Sequence, residues 1–201
     1  MKHSSLIKNT SLYFFATVLA FGILSHPPLA NAASKTLSKT KGQVHFLAIG
    51  KPAMIKIRGT NESLSSKIEL SDKTASGSFT LNLKDLNTGI GLRDKHMKEK
   101  YLEVDKYPDA ILTFKNFSLA APNSEADQNI TGTLKMHGVE KPVSVHANVK
   151  TAANGTQFEG KSEFTVKLSD FNISIPSYMG IKVADQVELT VEFSSELTGE
   201  I

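Results

Sequence analysis

No cysteine occurs anywhere in the 201 residues. That absence excludes disulfides, a thiol nucleophile, a cysteine-containing zinc site and a lipidated N-terminal cysteine, so a folded domain here must be held together by packing alone. Tryptophan is missing too, and no acidic residue precedes Glu62, whereas Lys2 and Lys8 give the chain a positive start. Long hydrophobic runs are scarce. The one prominent run, residues 12–24 (LYFFATVLAFGIL), has 13 residues, where a spanning helix needs about 20. Pro27 and Pro28 follow it, and Ala30-Asn31-Ala32 offers small residues at the two positions a signal peptidase reads. This order is that of a secretory signal peptide over residues 1–33, cleaved after Ala32 or Ala33. An uncleaved membrane anchor is the alternative, and the shortness of the run argues against it. The remaining 34–201 then form one exported, soluble domain.

Catalytic signatures are also lacking. There is no G-x-S-x-G, no H-E-x-x-H and no phosphate-cradling glycine loop. Without Lys2 and Lys8 the chain carries 21 basic and 20 acidic side chains, and no basic cluster interleaved with aromatics appears, so no nucleic-acid partner is expected.

What is present is alternation of period two, from Val44 onward. Val187, Leu189, Val191 and Phe193 interleave with Glu188, Thr190 and Glu192. Phe158, Gly160, Ser162, Phe164, Val166 and Leu168 alternate with charged residues and threonine, as do Val143, Val145, Ala147 and Val149 with polar ones. Ile130, Gly132, Leu134 and Met136 repeat the pattern. Shorter versions occur at Val44-Phe46-Ala48, Ile55-Ile57, Ile68-Leu70, Gly77-Phe79-Leu81-Leu83 and Ala110-Leu112-Phe114. Each is an apolar face backed by a polar one, which a half-solvated antiparallel sheet requires. Turn signals separate them at Gly50-Lys51-Pro52, Asp72-Lys73, Gly138 to Pro142, and Asn154-Gly155, the last predicting a tight hairpin with positive φ at both residues. About nine strands with no long helix between them predict an all-β sandwich or barrel.

One segment breaks the alternation. Residues 92–102 (LRDKHMKEKYL) are rich in helix formers and predict a helix of about three turns, with Met97, Tyr101 and Leu102 on one face and covering an opening of the sheet. The mixed charges Asp94, Glu99, Glu103, Asp105 and Asp109 with Arg93, Lys95, Lys98, Lys100 and Lys106 read as a solvated face with i,i+4 pairs. His137 and His146 can meet across a hairpin turning between Gly138 and Pro142 as a metal or catalytic pair; surface histidines are the simpler reading. His96 would need a supporting partner to act as an acid–base group, and no pattern supplies one. No metal, cofactor or enzymatic activity is therefore expected.

The interior of such a barrel is either filled by side chains or holds one ligand. Small or flexible residues on the apolar faces (Gly77, Gly132, Gly160, Ser162, Ala147, Met136) would leave room. Periodicity does not separate the two states.

Three ordered motifs carry a resemblance. Thr88-Gly89 followed by Arg93-Asp94 and His96, continuing to Lys106-Tyr107-Pro108 and Phe114, is similar to the "TG…RD.H" and "kyP…F" stretches of the YceI-like family. Gly132-Thr133-Leu134 through Gly138-Val139 and Pro142-Val143 resembles its central hairpin. Phe171-Asn172-Ile173, Tyr178-Met179-Gly180 and Val183-Ala184-Asp185-Gln186-Val187 resemble its C-terminal section. The family's "v.G.F" is met here by Ile57-Arg58-Gly59-Thr60, without the phenylalanine. The resemblance spans about residues 40–197. It implies a lipocalin-like antiparallel barrel of about eight strands with one short helix. It also implies periplasmic binding and transport of a polyisoprenoid or quinone-type lipid, with transient contact to a membrane or membrane protein. The apolar faces would then supply the tunnel lining: Phe79, Leu81, Leu112, Phe114, Leu134, Met136, Val145, Phe164, Val166, Leu189, Val191 and Phe193, with Met97 and Tyr101 at one mouth. A ligand-free interaction or stress protein with a filled core is the competing expectation.

Overall fold

Strands with one apolar face must bury that face, and a sheet that closes on itself does so while leaving no unpaired edge. The computed structural model of the chain describes residues 35–52, 55–71 and 73–198; the expected signal peptide lies outside them. The strands are β1 (Lys35–Lys51), β2 (Ile55–Asn61), β3 (Leu64–Ser71), β4 (Thr74–Asn82), β5 (Asp109–Ser118), β6 (Ser124–Met136), β7 (Val139–Thr151), β8 (Gln157–Lys167), β9 (Ser177–Tyr178) and β10 (Ile181–Thr198). Every pairing between them is antiparallel. The ring runs β1-β3-β4-β5-β6-β7-β8-β10 and closes where β10 pairs with β1, giving an eight-stranded barrel.

The two remaining strands extend one end of it. β2 and β3 lie along the same edge of β1 in one continuous register: Val44 pairs with Asn61 and Leu37 with Ile68. The break between them, at Glu62-Ser63, is held by the buried Asn61. Its Oδ1 accepts from the Ser63 backbone at 2.8 Å and its Nδ2 donates to the Asn82 carbonyl at 2.7 Å. β9 likewise continues the β8 side of β10, so β2-β1-β10-β9 projects past the ends of β4 and β8.

Inside, the alternating residues meet as expected. Val143, Val145, Ala147, Val149, Phe158, Val166, Val187 and Val191 are buried, while Lys, Glu and Thr cover the outside of the same strands. An outward polar and inward apolar face is the reverse of a membrane-spanning barrel. Among the described residues, no helix is long and apolar enough to cross a membrane.

Three local expectations are corrected. The β6–β7 hairpin turns at His137-Gly138 rather than further on, with φ of 52° and 76° and Met136 paired to Val139. Histidine is among the few side chains that tolerate this region. The two-residue turn puts His146 opposite Asn129, about eight residues of strand from the turn and so roughly 26 Å away at 3.3 Å per residue. The His137–His146 pair therefore does not form. His146 lies on the outer face against Asp127 and Asn129, while His137 Nε2 and Nδ1 sit 2.8 Å from Glu103 Oε2 and 3.0 Å from the Phe171 carbonyl. At Asn154-Gly155 only the glycine has positive φ (68°); Asn154 Oδ1 accepts from the Thr156 backbone in a longer loop.

The glycines do not leave room either. Phe193 is the cross-strand partner of Gly160, and a Cβ on Gly160 would lie 2.3 Å from that ring. Phe46 covers Gly59 in the same way, at 2.2 Å. These are aromatic rings laid over glycine, a device that pins strand register.

Candidate functional site

The barrel is not filled. A cavity of about 610 Å³ opens at the end where β2, β9 and the helix lie, within the usual size range for small-molecule sites. Its walls come from the inward positions of the strands. Eleven of the fourteen residues expected to line a tunnel meet there: Phe79, Leu81, Met97, Tyr101, Leu112 and Leu134, then Met136, Phe164, Val166, Leu189 and Val191. Phe114, Val145 and Phe193 do not reach it. They line a separate cavity of about 50 Å³ nearer the opposite end.

A plug divides the two spaces. Phe79, Leu112 and Ser162 border both. The Phe79 ring stacks on Phe114 with centroids 5.8 Å apart and meets Phe193 at 4.8 Å. Strand alternation cannot reveal this partition, because it assigns residues to a face and not to a height along the barrel axis.

The mouth is built by the segment between β4 and β5. Helix α1 (Gly91–His96) continues as a π-turn through Met97–Tyr101, with the Leu102 N–H donating to the Met97 carbonyl at 2.9 Å. The predicted helix at residues 92–102 is thus found one residue earlier, and Met97, Tyr101 and Leu102 face the cavity. Sequence reasoning missed the rest of the entrance. Leu86, Ile90 and Leu92 come from turns or the exposed helix side, Ile173 and Met179 from the β8–β10 connection, and Ile181 from the first position of β10, where no periodicity marks them; Leu83 ends an alternating run. Val44, Phe46, Ala48, Ile55 and Ile57 carried a readable signal as alternating strand residues.

The lining is almost wholly apolar. Its polar members are Thr88, Arg93, His96, Ser162 and Ser177, besides the Tyr101 hydroxyl. Arg93 and Asp94 are not members of an i,i+4 ion-pair series. Arg93 Nε donates to Thr88 Oγ1 and Nη2 to the Thr88 carbonyl, both at 2.8 Å. Asp94 Oδ1 accepts from the Thr88 backbone at 2.9 Å and from its hydroxyl. Gly89 turns with φ of 77°, its N–H donating to Asn87 Oδ1 at 2.7 Å. Among the described residues, no cluster of three or more His, Asp or Glu could hold a metal ion.

The YceI-like domain model matches residues 36–195. The chain belongs to the YceI-like family. Protein YceI of Salmonella arizonae and of Salmonella paratyphi B are each 32% identical over 124 residues, 58% of this chain; the match spans 63% of their length. Among solved structures, a polyisoprenoid binding domain from Saccharophagus degradans, implicated in plant cell wall breakdown, superposes with a TM-score of 0.63 at 16% identity, covering 83% of this chain and 99% of that one. Burkholderia cenocepacia BcnA follows with 0.58 at 20% identity, covering 78% and 96%. These share the barrel fold. The YceI-like "TG…RD.H" motif takes on a structural meaning here: Arg93 and Asp94 clamp Thr88 and so fix the rim of the cavity. Thr88→Val keeps the shape and removes the bridging hydroxyl. We expect a loss of about 1–2 kcal/mol in denaturant unfolding and faster amide exchange over residues 87–101. Unchanged exchange there would show that the clamp does not hold the rim.

Proposed function

We propose that this protein binds a polyisoprenoid or quinone-type lipid inside the barrel and carries it through the periplasm, without catalysing a reaction on it. The observation that carries the reading is the apolar cavity of about 610 Å³, open at one end under the helix. The polyisoprenoid binding domain from Saccharophagus degradans, which shares the fold, supports the ligand class. Burial energetics agree. A five-carbon isoprene unit gains about 4 kcal/mol when fully buried, at about 0.8 per carbon. Five such units gain about 20 kcal/mol against an association cost of about 10. The surplus corresponds to an affinity between micromolar and nanomolar with no specific polar contact. Among the described residues Arg93 and His96 are the cationic or imidazole groups on the lining, and a tail-first ligand leaves its head group beside donors that suit a carbonyl or phosphate oxygen. No acid lines the cavity among the described residues, so His96 has no carboxylate there to orient it as a general base.

The test is native followed by denaturing mass spectrometry on protein purified from periplasm without detergent. We expect a released mass with polyprenyl or quinone fragmentation. Ala48→Trp, from a buried position on the cavity wall, is expected to reduce the occupied fraction by about tenfold or more, at an overpacking cost of about 1–3 kcal/mol. A wild-type protein that stays empty after incubation with quinones and polyprenyl phosphates would overturn the proposal.

A further inference from the structure

We propose that the cavity mouth is a docking surface for an anionic lipid bilayer, an inference that rests on the lipid-carrier reading and assigns where the cargo crosses. Among the described residues, four large hydrophobic side chains are exposed: Ile55 at 45%, Ile90 at 53%, Leu92 at 58% and Met179 at 85%. All four line the mouth of the cavity of about 610 Å³. Elsewhere among the described residues large apolar side chains are buried or half-buried, so this rim is a local departure that calls for an apolar neighbour.

Charge identifies that neighbour. The rim is built, among the described residues, from residues 50–52 and 55–58, 88–101 and 176–183. They are contiguous in space: β9 pairs with β10, β10 with β1, β1 with β2, and Thr60 of β2 bridges to Asn87 at the start of the helical segment. Together they carry eight basic side chains (Lys51, Lys56, Arg58, Arg93, Lys95, Lys98, Lys100, Lys182) and two acidic ones (Asp94, Glu99), a net +6. The whole of residues 34–201 nets +1, with 21 basic and 20 acidic side chains. Lys51 and Lys182 are direct cross-strand partners. Lys51, Lys56, Lys95 and Lys182 are exposed and make no ion pair among the described residues. The acid Asp94 is turned inward onto Thr88. On the opposite side of the same end, Glu103, Asp105, Asp109, Glu140 and Asp170 dilute the basic residues, so the protein meets the surface tilted, on the β9-β10-β1-β2 sector. Apolar side chains inside a lysine ring match a bilayer with anionic head groups: the apolar tips enter the interface and the lysines stay among the phosphates. A protein partner of the same chemistry is the competing occupant.

The experiment is vesicle flotation of the chain from Ser34, since the apolar run at residues 12–24 would itself bind a bilayer and the barrel closes within residues 35–198. Vesicles of phosphatidylcholine alone are compared with vesicles containing phosphatidylglycerol. We expect flotation with the anionic vesicles only, lost as NaCl rises from about 0.05 to about 0.5 M, which shortens the Debye length about threefold. The triple variant Lys51→Glu, Lys56→Glu, Lys182→Glu touches no cavity wall. Each lysine near an anionic surface contributes about fivefold, so partition should fall by about 100-fold or more, while binding of a water-soluble short-chain quinone from solution is unchanged. Leu92→Ser should weaken partition onto the same vesicles. Failure of the wild-type chain to float, equal flotation on phosphatidylcholine, or undiminished flotation of the triple variant would each overturn the docking surface. In those cases a wild-type chain that still releases lipid leaves the carrier reading intact. A chain that floats as expected but never carries lipid supports the surface and overturns the carrier reading.

Discussion

Phe79→Ala will shift the bound lipid toward longer chains. The Phe79 ring is the floor of the large cavity and the ceiling of the small one, held there by Phe114 and Phe193. Removing it joins about 610 Å³ to a space of about 50 Å³ plus the volume of the ring itself. A tail that now stops at the plug gains several buried carbons, each contributing about 0.8 kcal/mol. One more isoprene unit, about 4 kcal/mol, would therefore raise affinity by about three orders of magnitude for the longer homologue and leave the shorter one nearly unaffected. The empty variant loses about 3 kcal/mol of stability, because the ring leaves part of the core unfilled, and a long-chain ligand should restore much of that loss. The measurement is the chain-length distribution of extracted lipid, paired with thermal melts of emptied and loaded protein. An unaltered distribution in a folded variant would show that the floor lies elsewhere.

Gly77→Val should abolish folding or cost at least about 4 kcal/mol, the range reserved for backbone and packing violations. Gly77 opposes Ile68 on β3 and Phe114 on β5. A Cβ there would lie 2.1 Å from the Lys67 carbonyl oxygen and 2.8 Å from the Ile68 Cα. Both are backbone atoms, so no rotamer change relieves the contact. The crowding accompanies a bulge. Ala75 pairs with Phe117 but Gly77 with Phe114, so one extra residue sits on β5, where Asn116 takes φ of 56° and donates to Ser76 Oγ at 2.9 Å. Gly91→Ala is the contrasting variant. It begins the helix with no atom within 4 Å of its new Cβ, and is expected to be neutral or to stabilise by up to about 1 kcal/mol. Urea midpoints of the two variants decide the matter; a Gly77→Val midpoint near wild type would refute the clash.

How far these features were readable depends on whether they were local. The period-two faces of β6, β7, β8 and β10 were legible, because an antiparallel strand buried on one side writes its environment directly into alternate residues. The helix over the mouth was legible for the same kind of reason, as eleven residues of helix formers without Gly or Pro. The bulge at Asn116 was not. It reverses the face of everything after it, so Phe117 is buried although the pattern set by Leu112 and Phe114 points it outward. His137 was misread because a two-residue turn needs only tolerance of positive φ, and histidine advertises that weakly. Arg93 and Asp94 looked like a solvated charge pair because their partner, Thr88, is five and six residues away through a loop whose course the sequence does not state.

The sequence by itself determined the class of the fold, the inward set of side chains and, through its resemblance to the YceI-like family, the nature of the cargo to test. Those follow from periodicity and motif order, which survive without coordinates. Only the tertiary structure decided that the interior is hollow, that Phe79 splits it, that Gly59 and Gly160 are roofed by phenylalanines rather than left open, and that Ile55, Ile90, Leu92 and Met179 gather at one basic rim. Alternation fixes which way a side chain points. Barrel closure, strand stagger and loop course fix which of those side chains meet, and these depend on pairings between residues as far apart as Thr36 and Thr198.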